Sequence, residues 1–297
     1  MGTKRWDGET VDSWVDEHGI GTVMLNRPEK LNAFNPKMTE EFRFHMERFR
    51  SDDAVKAVII GGKGRAFCAG HDVGTGGGVT GLTADGKSSD PPQRQRLRES
   101  FDVVGERTNY ILLFPKVTIA MVHGYCIGAG TGIAMACDLT VVADNAVISW
   151  EANRHGRATG SDLWVMLHLG PKKARELALT GGRIAGSEAE ALGWASRSVP
   201  EEDLMAETMR LARQVVLQPR DGLALGKAVR QLEFERLGIA NRAAFALENT
   251  LFTNIRFEDD EPSFFRDRQD FGPREAMHRL KQRYDDARNA QPADLDE

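Results

Sequence analysis

The stretch that most limits what this chain can fold into is Lys116-Val-Thr-Ile-Ala-Met-Val-His-Gly-Tyr-Cys-Ile-Gly-Ala-Gly-Thr-Gly-Ile-Ala-Met-Ala-Cys-Asp138. Val117 to Val122 is an apolar, β-branched run, the pattern of a buried strand. Gly124, Gly128, Gly130 and Gly132 then turn the chain into small residues, Ile133 to Ala136, that read as a tightly packed helix. A Gly-rich turn from strand into helix presents backbone N–H groups at the helix start, where negative charge is favoured. The stretch therefore predicts an α/β unit with an anion-ready turn, and the question is which anion it serves.

The rest of the chain extends this pattern. Residues 11–25 read as a first strand pair, and Val55 to Ile60 as a short buried strand. Asn35-Pro36 offers an N-cap and an N1 proline for a helix through about Arg50, with Met38, Phe42, Met46 and Phe49 at helical spacing. Gly61 to Val73 carries a second Gly-rich turn, and residues 74–93 then lose all periodicity, as a lid-like loop does. A helix is expected over 94–113, strands over Leu139–Ala143 and Ala146–Trp150, and a polar loop over Glu151–Gly160. Helices follow at 171–180, 187–192 and 201–218, with a strand near Trp194–Val199, and only helices beyond about Asp221. The expected architecture is an α/β core over residues 10–200 and a helical subdomain over 201–297.

Charge and cysteine usage narrow the class. A formal net charge of −5 leaves no basic footprint for a nucleic-acid partner. No apolar run approaches the length of a membrane span, and the first residues lack the apolar core of a signal peptide. Cys68, Cys126 and Cys137 form no CxxC pair and read as buried, reduced thiols, which points to the cytoplasm.

Four segments carry a family resemblance: Asn26-Arg-Pro-Glu-Lys-Leu-Asn-Ala-Phe34, Ala66-Phe-Cys-Ala-Gly-His-Asp72, the 116–138 stretch, and Leu179-Thr-Gly-Gly-Arg-Ile184. In this order they resemble the crotonase (enoyl-CoA hydratase/isomerase) superfamily over nearly the whole chain. The resemblance implies a ββα-superhelix core with two sheets and C-terminal helices that support a homotrimer or a hexamer built as a dimer of trimers. It implies an acyl-CoA ligand, with coenzyme A as part of the substrate and no separate cofactor or metal. The thioester carbonyl would sit between two backbone N–H groups, those of His71 and Ala129, which answers the question of the anion. The His71 imidazole reads as pocket wall. The coenzyme would lie along Lys30, Leu31 and Ala33 and along Ala69, His71, Asp72 and Val73, with Lys30 and Arg65 facing phosphates.

The hydratase pattern fails at two positions. Hydration requires carboxylates that hold and deprotonate water, and hydratases of this family carry two glutamates for it. The matching positions here are Gly132 and Ala152. Glu151, one residue away, is the candidate acid/base group, with Thr131, Trp150, Asn153, His155 and Asp162 nearby in sequence. Arg274-Glu-Ala-Met277 resembles the family's turn before the last helix, and Arg283 falls where a lysine reaches a neighbouring subunit's coenzyme. Three readings stay open: an enoyl-CoA hydratase/isomerase; another reaction of the superfamily, such as isomerisation, thioester hydrolysis or C–C cleavage; and a non-catalytic acyl-CoA binder.

Overall fold

A computed structural model describes residues 4–72, 94, 98, 110–151, 154, 163–238 and 257–289. The expected lid (74–93) and most of the expected 94–113 helix lie outside the described residues.

Two sheets share the core. The larger has seven strands in the order β1 (Lys4–Asp7), β2 (Val11–Val15), β3 (Ile20–Leu25), β4 (Ala57–Gly62), β6 (Val117–Val122), β8 (Leu139–Ala143), β11 (Arg197–Val199). The smaller has four, in the order β10 (Arg183–Ala185), β9 (Val147–Ser149), β7 (Tyr125–Ile127), β5 (Ala66–Cys68). The expected hairpin over 11–25 is β2 and β3, paired antiparallel with Val11 opposite Leu25. From β3 through β4, β6 and β8 to β11 every pairing is parallel. Both β4 and β6 are buried along their whole length, which explains why they read as unbroken apolar runs rather than alternating ones.

Three large-sheet strands, β4, β6 and β8, are each followed by a small-sheet strand, β5, β7 and β9. β6 and β7 lead into helix α2 (Ala129–Ala136), and β8 and β9 lead towards α3 (Leu163–Thr180), so the ββα unit implied by the resemblance is observed. One expectation is corrected here. The Val117–Val122 strand does not run directly into the helix. The chain turns at Gly124 (φ +54°), crosses to the other sheet, adds β7, and only then starts α2 at Ala129. Helix α2 consequently touches β6 of one sheet and β5 and β7 of the other. Three short strands, β1, β5 and β10, join these sheets although their sequences carry no strand pattern of their own.

The helices close the core. Helix α1 (Pro36–Ser51) starts as expected, with Asn35 accepting from the Met38 N–H at 2.8 Å, and buries Met38, Phe42, Met46 and Phe49 against β2 and β3. After the single turn α4 (Gly186–Ala189), α5 (Leu204–Val216) packs across β3, β4, β6 and β8. Helix α6 (Arg220–Arg236) is anchored by one buried ion pair. Lys227 Nζ reaches both oxygens of Asp138 at 2.8 and 2.7 Å, Arg230 reaches the same carboxylate at 3.0 Å, and Asp138 also accepts from the Thr118 N–H. The last helix, α7 (Phe264–Asn289), is kinked at Gly272-Pro273, so the turn expected around Arg274 falls two residues earlier. No helix among the described residues is long and apolar enough to cross a membrane.

Candidate active site

Strands β5, β7 and β9 are mutually parallel, with Cys68 beside Cys126 and Ile127 beside Ser149. Their carboxyl ends therefore lie along one edge of the small sheet, about 4.8 Å apart from strand to strand. β5 ends in Ala69-Gly70-His71, β7 in Gly128-Ala129, and β9 in Trp150-Glu151. Ligands of α/β sheets collect at such edges.

The two Gly-rich turns meet there. A Cβ placed on Gly70 (φ +98°) would lie 3.2 Å from the Ile127 carbonyl oxygen and 3.6 Å from the Ala129 nitrogen. The missing side chain is what lets the two turns come this close. Ala129 is the first residue of α2, whose Gly128 cap provides no side-chain acceptor. His71 is exposed, and its turn is fixed by a parallel bridge to Phe34 in which the Phe34 N–H donates to the Gly70 carbonyl (2.8 Å) and the Asp72 N–H to the Phe34 carbonyl (2.9 Å). The Ala69 N–H donates to the Leu31 carbonyl (2.9 Å), so the Lys30–Ala33 segment and the Ala69–Asp72 turn form one continuous wall.

Arg27 and Asn32, which the sequence reading passed over, build that wall. Arg27 donates to the Ala33 carbonyl (2.6 Å) and pairs with Asp72 at 3.0 Å. Asn32 is fully buried with φ +55°, and its side chain bonds the Arg27 N–H and the carbonyls of Lys63 and Ala66. An asparagine tolerates the left-handed conformation and satisfies turn backbone at the same time. The signal was present in the Asn26–Phe34 segment. Lys30 and Arg65 are exposed at the surface; Val73 lies outside the described residues.

At the end of β9, Trp150 is buried and its N–H donates to the Gly182 carbonyl (3.0 Å). Glu151 follows, its N–H bonded to Ser149 Oγ (3.0 Å). The Glu151 carboxylate does not stand alone: Oε1 pairs with Arg183 and lies 3.3 Å from Arg154 Nη1. Neither arginine was singled out from the sequence, although Arg183 sits inside the Leu179–Ile184 segment. Gly132, on the second turn of α2, brings no functional group to the edge, and the Thr131 hydroxyl is spent on the Gly128 carbonyl (2.6 Å). Ala152, Asn153, His155 and Asp162 lie outside the described residues. Arg283 pairs with Asp267 on its own helix.

The cysteines are poor nucleophiles here. All three are buried; burial holds the Cys126 thiol well above its ordinary value, and burial, with Asp138 beside it, pushes Cys137 up to about 12.

Comparison with known proteins adds an independent line. Residues 16–270 match the family model for enoyl-CoA hydratase/isomerase. The chain is 32% identical over 216 residues to a Mycobacterium tuberculosis protein named as an enoyl-CoA hydratase, EchA13, covering 69% of this chain and 68% of that one. It is 28% identical over 213 residues to the 1,2-epoxyphenylacetyl-CoA isomerase of Escherichia coli K12, covering 71% and 78% of the two chains. Among solved structures, an enoyl-CoA hydratase from Mycobacterium smegmatis superposes with a TM-score of 0.77 at 25% identity over 93% of this chain and 94% of that one.

Proposed function

Because the chain belongs to the enoyl-CoA hydratase/isomerase (crotonase) family, we propose that it processes an acyl-CoA by holding the thioester oxygen between the backbone N–H groups of His71 and Ala129. The observation that carries this is the approach of the two turns, with 3.6 Å between the place of a Gly70 Cβ and the Ala129 nitrogen. As negative charge moves onto the thioester oxygen in an enolate-like state, each preorganised donor contributes about 2.7–4 kcal/mol that water would not supply. Lys30, Leu31, Ala33, Ala69, Asp72 and Val73 line the coenzyme, which enters as part of the substrate; no further cofactor is used.

Glu151 is the acid/base group in this reading. Its Oε1 is committed to Arg183, so proton exchange with the acyl chain or a water runs through Oε2. In the hydratase reaction, water deprotonated there adds to the β-carbon, the electron pair moves to the thioester oxygen, and a proton is then delivered to the α-carbon. A second reading, double-bond isomerisation or another reaction of the superfamily, is favoured by Gly132: with no carboxylate at that position, one acid/base group is left to shuttle a proton between two carbons. A non-catalytic binder is the third reading.

Products formed from a panel of enoyl- and acyl-CoAs, identified by mass spectrometry, separate the three. Water addition supports the hydratase, a mass-neutral change the isomerase, and binding without turnover on the whole panel the binder. Glu151→Gln is expected to lower turnover about 10²–10⁴-fold; unchanged turnover would move the chemistry to another residue.

The helices after residue 200 serve assembly in this proposal, as a trimer or a dimer of trimers. Leu225, Val229, Leu232 and Leu237 are exposed along α6 and its end, an apolar surface of the kind subunit contacts cover. The residues 10–200 carry the site, and the protein works in the cytoplasm.

A further inference from the structure

Arg154 is in an unusual position. Its side chain is only 2% exposed, and its Nε and Nη2 are buried with no hydrogen-bond partner. Nη1 alone is engaged, 3.3 Å from Glu151 Oε1. Nε–H and one Nη2–H point in parallel from the same edge of a guanidinium, the edge that takes the two oxygens of a carboxylate or phosphate side by side. A buried charged donor left without an acceptor costs more than an ordinary unsatisfied group. Here two such donors are left on one fork.

The surroundings fix the arginine in place. The ring of Tyr284, from α7, covers one face of the guanidinium at 4.4 Å. A Cβ on Gly181 would come within 2.4 Å of Arg154 Cγ and 2.8 Å of Nε, so the chain passes the arginine this closely only because residue 181 is glycine. Among the described residues, the Arg183 and Arg288 guanidiniums add positive charge around Arg154, and Glu151 opposes it. Burial lowers the Arg154 pKa, Glu151 offsets part of that, and Arg288 and Arg183 lower it further.

The cluster lies just past the end of β9, next to β7, whose end carries Ala129. We infer that the Arg154 fork is a binding site for a carboxylate at the far end of the acyl group, which makes the substrate class an acyl-CoA with an ionised acidic terminus. This rests on the acyl-CoA reading above and narrows it. A monoanion on the fork satisfies both donors. A methyl-ended chain in the same place leaves the donors buried and unpaired, so the site selects for the acid twice over.

The test is calorimetric binding to the full chain. Succinyl-, glutaryl-, adipyl- and suberyl-CoA are compared with butyryl-, pentanoyl-, hexanoyl- and octanoyl-CoA, and wild type with Arg154→Lys, which keeps the charge and loses the fork. At one chain length the acid is expected to bind wild type about 10–100-fold more tightly than its methyl-ended counterpart. In Arg154→Lys, with folding checked by thermal unfolding, that ratio is expected to fall towards one. Thioesters that all bind without preference for the acid overturn the inference and leave the acyl-CoA reading standing. An equal loss for every thioester in the variant puts a coenzyme phosphate on the fork and also overturns it. Failure of every thioester to bind overturns both readings. If Arg154→Lys does not fold, the wild-type ratios alone decide.

Discussion

Two regions at the same edge of the small sheet are built by opposite means. The proposed donor pair at His71 and Ala129 is made of backbone, shaped by the turns at Gly70 and Gly128 and pinned by the bridge from His71 to Phe34. The cluster past β9 is made of side chains, with Glu151 and Arg154 from one segment joined by Arg183 of β10 and by Tyr284 and Arg288 of α7. A backbone site depends on conformations that few residues other than glycine adopt, so it constrains sequence tightly and locally. A side-chain site depends on where distant elements pack, and its members look like ordinary surface charges until they meet. The first region suits chemistry common to a family; the second suits selection of a particular substrate.

The largest expected effect comes from breaking the backbone region. Gly70→Val puts a branched side chain at φ +98°, against the Ile127 carbonyl and the Ala129 nitrogen. The strain is about 1–3 kcal/mol, and either turn relieves it only by moving a donor. Turnover on the best acyl-CoA of the panel is expected to fall about 10²–10³-fold, measured as kcat on protein shown by circular dichroism to be folded. Full turnover in this variant would mean that the donors are not where the reaction develops charge.

That contrast also explains what was legible in the sequence. The α1 cap at Asn35-Pro36, the buried β4 and β6, and both glycine turns are encoded by contiguous residues, and each was readable. The passage through β7 was not, because Tyr125-Cys-Ile127 is too short to show a period and its pairing with Ala66–Cys68 and Val147–Ser149 is decided by tertiary packing. Glu151 was visible as a carboxylate out of register with the hydratase pattern. Its tie to Arg183 was invisible, because no periodicity links residue 151 to residue 183 or to the ring at 284. Asp138 shows the same limit: its place in the motif was clear, whereas its role as the anchor of Lys227 on α6 required the fold.

A smaller effect probes the side-chain region. Tyr284→Leu keeps apolar bulk over Arg154 and removes the aromatic face 4.4 Å from the guanidinium. The expected loss is about 0.5–2 kcal/mol of stability, read as a shift in urea midpoint at constant slope. The preference for acid-ended acyl-CoAs is expected to narrow in the same variant. If Tyr284→Leu instead abolished turnover on methyl-ended substrates as thoroughly as Gly70→Val, the two regions would be one functional unit and the comparison would fail.

The smallest effect lies outside both regions and tests whether they can be read separately from global stability. His45 of α1 is buried and hydrogen-bonded to Ser13 of β2 at 2.8 Å. Burial lowers its pKa below the ordinary 6.5, with Arg48 adding to the drop and Glu41 and Asp12 opposing it. The native state therefore takes up this proton less readily than the unfolded chain. The stabilisation is fully present above about pH 6.5 and is lost as the pH falls from there through the folded-state pKa, with a slope of at most about 1.4 kcal/mol per pH unit. Urea midpoints measured between neutral pH and about pH 5 are expected to fall more steeply for wild type than for His45→Gln, which keeps a hydrogen-bonding partner for Ser13 and cannot titrate. Because Ser13 and His45 lie on β2 and α1, on the larger sheet rather than at the edge that carries Ala129 and Arg154, activity per folded molecule should follow the same pH profile in both proteins. A profile that changed with His45→Gln would tie that proton to the site and show that the edge is not electrostatically independent of the α1 face.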